Sequence, residues 1–96
     1  MEGAEYSLLE KIKTEFKTIR YQYEAQKIPF GPRFLWAEPL QMNLRASNRL
    51  TEEERKVWDK VIDELITRGY FVIRNEVGLG SGLELTNLGY NEFLSN

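Results

Sequence analysis

The stretch that most constrains this chain is residues 51–94. It opens on Thr51-Glu52-Glu53-Glu54, continues with apolar residues at Val57, Trp58, Val61, Ile62, Leu65 and Ile66, and stops at Gly69. Thr51 and Glu54 have the spacing of a capping box, in which hydroxyl and carboxylate each accept one of the free N–H groups of a helix start. Adjacent apolar pairs that recur every four residues make one helical face. A helix is therefore expected over 52–68, ended by Gly69 as its left-handed residue. Tyr70 to Arg74 is β-branched and aromatic and reads as a strand. Gly78, Gly80, Ser81 and Gly82 read as a hairpin tip and Leu83 to Leu85 as the return strand, so that 70–75 pairs antiparallel with 82–86. Thr86 is placed to cap a last helix over 87–94, with Leu88, Phe93 and Leu94 facing inward.

Upstream, Leu8, Leu9, Ile12, Phe16, Ile19 and Tyr23 share one helical face, which predicts a first helix over 7–25. Ser7 and Glu10 match a second capping box, and Lys11–Glu15 and Arg20–Glu24 are i,i+4 ion pairs. Tyr21 falls on the outer side of this long helix and suggests a homodimer through it.

Residues 26–50 hold all three prolines, Pro29, Pro32 and Pro39, which forbid a long helix. A short helix over 39–46, with Pro39 first and Leu40 and Leu44 a turn apart, fits this region. Phe30, Phe34, Leu35 and Trp36 make it too aromatic for a flexible linker. Such rings can stack bases or anchor a partner; the better account places them in the core beside the first helix.

The run Leu65-Ile66-Thr67-Arg68-Gly69-Tyr70, followed by Leu85-Thr86-Asn87-Leu88-Gly89-Tyr90, resembles the end of many winged helix-turn-helix domains. In those, a helix ending L-x-x-x-G-[YF] precedes a two-stranded wing and then L-T-x-x-G-x-x-x-[FL]. The chain is particularly similar to the small YjcQ-like winged-helix proteins, a group without an assigned activity. The likeness covers about residues 50–94. It implies an α+β, mainly helical fold forming a single winged-helix domain over 1–96, with three helices, a hairpin wing and a short C-terminal helix. It also implies a non-enzymatic DNA-binding or transcription-regulatory role.

Charge pulls the other way. Net charge is −2, whereas nucleic-acid-binding domains show a basic footprint. The solvent face of the 52–68 helix carries Glu52, Glu53, Lys56, Asp59, Lys60, Asp63, Glu64 and Thr67. Five acids against two lysines repel a phosphate backbone. The wing tip has no lysine or arginine, and its glycines are followed by a strand, not by the helix that a phosphate loop requires. The basic residues gather instead at Arg33, Arg45 and Arg49, with Asn43 and Asn48 between them, and Arg55 on the flank of the helix. Arginine forks onto phosphate or guanine and asparagine pairs adenine. If the domain binds duplex DNA, Arg45, Asn48, Arg49 and Arg55, with Lys56 and Lys60 behind them, are the expected contacts. The alternative is a protein–protein interaction module that uses the winged-helix fold with an acidic third helix.

Other classes find little support. Without histidine or cysteine the chain lacks the commonest general base, the thiol nucleophile and the usual zinc ligands. Ser7, Ser47, Ser81 and Ser95 have no histidine to activate them. Carboxylates are expected on exposed helical faces, where nothing shifts their pKa. No cofactor or metal is expected. The N-terminus lacks the pattern of a signal peptide and no apolar run reaches the roughly 18 residues of a span, so a cytoplasmic protein is expected.

Overall fold

The computed structural model describes residues 3–28, 36–76 and 80–94. Its elements are α1 (Ala4–Ala25), α2 (Ala37–Leu40) running into a π-helical segment (Gln41–Arg45), α3 (Glu52–Lys56), α4 (Trp58–Thr67), β1 (Phe71–Glu76), β2 (Gly80–Leu85) and α5 (Asn87–Leu94). The architecture is mainly helical, with one two-stranded antiparallel sheet. Phe30, Arg33, Phe34, Leu35 and the hairpin tip around Gly78 lie outside the described residues.

Helix α1 begins earlier than its sequence suggests. Gly3 is the N-cap and makes no side-chain cap bond. Ser7 is already inside the helix, its N–H bonded to the Gly3 carbonyl at 3.0 Å. The Ser7–Glu10 capping box is therefore not formed, and the Ser7 hydroxyl is free to donate to Glu54 on α3. The far end closes with a Schellman pair: Ile28 N–H to the Tyr23 carbonyl at 2.9 Å and Lys27 N–H to Glu24 at 3.1 Å. Lys27 takes the left-handed position, with φ 57°.

The expected 39–46 helix is real but begins at Ala37. Its first helical bond runs from Leu40 N–H to the Trp36 carbonyl at 3.0 Å. Pro39 thus falls among the first-turn positions, whose N–H groups have no helical acceptor. The following turn widens to π geometry, closed by Ala46 N–H on the Gln41 carbonyl at 2.7 Å. Leu40 and Leu44 both reach the core.

The expected 52–68 helix is kinked. Val57 leaves helical geometry, with φ −100° and ψ 7°, and divides it into α3 and α4. Bonds from Val57 N–H to Glu53 at 3.3 Å and from Val61 N–H to Val57 at 2.9 Å carry the chain across, so the break is a bend and not a stop. The Thr51–Glu54 capping box is formed. Gly69, at φ 82°, closes α4 by a second Schellman pair, in which Tyr70 N–H bonds Leu65 at 2.9 Å and Gly69 N–H bonds Ile66 at 3.0 Å. That bond holds Tyr70 in the turn, so the strand begins at Phe71.

β1 and β2 pair from Phe71↔Leu85 to Glu76↔Gly80. Gly80 and Ser81, expected in the tip, are therefore strand residues, while Gly82 pairs with Arg74 inside the expected 82–86 range. Thr86 caps α5 through its hydroxyl, which accepts from Gly89 N–H at 3.0 Å. Phe93 and Leu94 are buried as expected, but Leu88 is 55% exposed. Gly89 takes the inward place, so close to the Tyr70 carbonyl that a Cβ there would sit 2.1 Å from the oxygen.

Phe16 is the hub of the core. Its ring meets Trp36 edge-on at 4.5 Å, Phe93 at 5.1 Å and Phe71 at 5.8 Å. One α1 side chain thereby joins the start of α2, the hairpin and α5. Trp58, Val61 and Leu65 bring the buried face of α4 to the same core.

Candidate functional site

The structure brings Arg45, Asn48, Arg49 and Arg55 together around the loop between the π-helical segment and α3, but it engages two of the arginines inward. The Arg55 guanidinium donates to the carbonyls of Arg45 and Ser47. The Arg45 carbonyl is one that the end of the π-helical segment leaves open, and Ser47 lies just beyond it. Arg49 Nη1 donates to Glu15 Oε2 at 3.0 Å and to the Asn43 carbonyl at 3.0 Å. Arg45 is held more loosely: Nη1 lies 3.7 Å from Asp59, and the guanidinium stands 5.9 Å over the Trp58 ring. Asn48 is exposed. Lys56 lies 3.8 Å from Glu52, and Lys60 meets Glu5 of α1 at 2.5 Å.

Two buried carboxylates organise this region, against the expectation that the acids all lie on exposed faces. Glu15 is buried on α1 and receives Asn43 Nδ2 at 3.0 Å besides Arg49. Glu54 is buried at the start of α3. Its Oε1 accepts Lys11 Nζ at 2.7 Å and Thr51 N–H at 2.7 Å, and its Oε2 accepts the Ser7 hydroxyl. Burial alone would push the Glu54 carboxyl up. The bonds from Lys11, Ser7 and Thr51, together with the Lys11 charge, outweigh burial and hold it at about 2.

The expected Lys11–Glu15 pair is accordingly replaced. Lys11 turns to Glu54 and to the Arg49 carbonyl at 2.8 Å, and Glu15 turns to Arg49. The Arg20–Glu24 pair forms at 2.9 Å. Helical spacing carried the missed signal. Glu54 precedes Val57, Trp58 and Val61 by three, four and seven positions, which puts it in the middle of their apolar face.

The outward side of α3 and α4 is acidic, as its sequence indicates. Glu53, Asp59 and Asp63 are exposed along it, and Arg68 is paired to Glu64 at 2.8 Å. A cleft of about 110 Å³ lies between Glu5, Lys60, Val61, Glu64 and Arg68. Ligand pockets for small molecules span roughly 300–1,000 Å³, so this cleft suits water or a small ion. Tyr21 is 74% exposed. The hydroxyls of Thr14 and Thr18 beside it donate back to the carbonyls of Glu10 and Thr14, and Lys17 and Gln22 are exposed around it, so its surroundings are polar. Among the described residues no helix is long and apolar enough to cross a membrane.

Compared with models of known families, with curated proteins and with solved structures, the chain matches none.

Proposed function

We propose that this chain is a protein-interaction module built on a winged-helix arrangement, in which α1, α2 and the α3–α4 pair precede the β1–β2 wing and α5. The order of elements and the resemblance of residues 50–94 support the fold. One observation carries the interaction reading: Arg49 and Arg55 serve the domain's own Glu15, Arg45 and Ser47, while the face of α3–α4 that would enter a DNA groove presents Glu53, Asp59 and Asp63. An acidic helical face recognises a basic partner segment. No reaction is assigned to it.

A second reading, duplex DNA, rests on Arg45, Asn48 and Lys56. All three reach the surface, and the pairs made by Arg45 and Lys56 are long at 3.7 and 3.8 Å. Titration against random duplex DNA and against a lysine-rich helical peptide, each at two salt concentrations, separates the readings. The interaction reading expects peptide binding that weakens with salt and no DNA binding at low salt. DNA binding that falls steeply with salt, and is lost in Arg45→Ala, would replace it with the second.

A further inference from the structure

The two edges of the hairpin differ. Thr86 N–H bonds the Tyr70 carbonyl at 3.1 Å, and the ladder continues from there as Phe71↔Leu85, Val72↔Glu84 and Ile73↔Leu83. Bonded and non-bonded pairs alternate along an antiparallel ladder. Tyr70–Thr86 is a bonded pair, so Val72 and Arg74 direct their N–H and C=O groups at β2, and Ile73 directs its own outward. The same alternation sends the Leu83 carbonyl to the outer edge of β2. There it accepts Trp36 N–H at 2.7 Å, so that edge is bridged. On β1, none of the described residues bonds the N–H or C=O of Ile73, and the Ile73 side chain is 53% exposed.

Natural edge strands are shielded by proline, bulges or inward-pointing charge. β1 has no proline and its register is unbroken. Its one basic residue, Arg74, leans toward β2, where Nε lies 3.5 Å from Glu84.

We propose that the β1 edge is a self-association surface, on which a second copy of this chain adds its own β1 antiparallel across a two-fold axis at Ile73. Outward donors and acceptors in alternation are recognised by another extended strand. The edge is complementary to itself in this register. Ile73 exchanges both backbone bonds with the partner's Ile73, and the two exposed side chains meet. Arg74 then faces the partner's Val72. An axis at Arg74 would oppose like charges, which is unfavourable. The polar surroundings of Tyr21 offer no comparable set.

Sedimentation velocity at low and high protein concentration tests this with the wild type, Ile73→Pro and Ile73→Lys. The Ile73 N–H takes no part in the β1–β2 ladder, so proline removes the edge donor and spares the hairpin. The wild type should pass from an 11.3 kDa monomer to a dimer as concentration rises, with amide exchange at Ile73 slowing in step. Each variant should weaken association by roughly tenfold or more while circular dichroism is unchanged. If Ile73→Pro does not fold, Ile73→Lys decides alone. A wild type that stays monomeric up to about 1 mM, or a dimer that persists in a folded variant, overturns the proposal.

Discussion

Lys11 on α1 donates to Glu54 Oε1 on α3 at 2.7 Å, across 43 positions of sequence. The same oxygen receives Thr51 N–H at 2.7 Å, so one atom closes a helix start and joins two helices. The Glu54 carboxyl lies at about 2 in the folded chain against an ordinary 4.5. A depressed folded pKa gives stability that is complete above about pH 4.5 and is lost as pH falls toward 2. The gap is worth roughly 3 kcal/mol. Thermal melts from pH 7 to 2 should show Glu54→Gln well below the wild type at neutral pH and close to it at pH about 2. Parallel curves would show that the carboxylate charge contributes nothing.

Lys27 stands in the left-handed region at φ 57°, where a Cβ is crowded. Lys27→Gly should raise stability by about 1 kcal/mol, read as a higher denaturant midpoint at unchanged slope.

Gly89 packs against the Tyr70 backbone, and a Cβ would lie 2.1 Å from that carbonyl oxygen. Backbone cannot yield as a flexible side chain does. Gly89→Ala should therefore cost about 3 kcal/mol in urea denaturation, at the upper end for overpacking.

Trp58 is buried, as its place in the apolar face of α4 requires, but the connector residue Trp36 is buried more completely and meets Phe16 at 4.5 Å. From its place in the proline-rich connector, Trp36 would be expected to cost less on truncation than Trp58; its burial argues for a cost at least as large. Both tryptophan-to-alanine variants should lose about 3–5 kcal/mol, with Trp36→Ala at least equal to Trp58→Ala in equilibrium unfolding.

Arg49→Ala would leave the buried Glu15 with Asn43 as its remaining bonded partner among the described residues. Because Arg49 is half exposed, the loss should be moderate, about 1–2 kcal/mol. Glu15→Gln in the same chain should restore part of it. A melt unchanged by Arg49→Ala would free that arginine for an external ligand.

Local patterns in the sequence foretold much of the fold. The α4 stripe, the Gly69 stop, the Thr51 box and the Thr86 cap are decided by residues within a turn of one another, and each forms as expected. Several departures arise where a distant group competes. Ser7 fits a local cap, but its hydroxyl is taken by Glu54, and Lys11 passes over Glu15 for the same carboxylate. Leu88 fits an inward position that Gly89 fills because the Tyr70 backbone passes there. The candidate site was legible as a cluster of arginines but not as to their direction. Whether a guanidinium faces solvent or a carbonyl of its own chain depends on the loop at 45–50, which residue spacing does not determine.

The double use of Glu54 bears on how the molecule opens. A helix start ordinarily frays by itself, because its first N–H groups are held only locally. At α3, releasing the Thr51 N–H also disturbs the carboxylate that Ser7 and Lys11 hold from α1. The first turn of α3 is thereby tied to Ser7 and Lys11 of α1, so fraying there costs contacts on a second helix as well as its own.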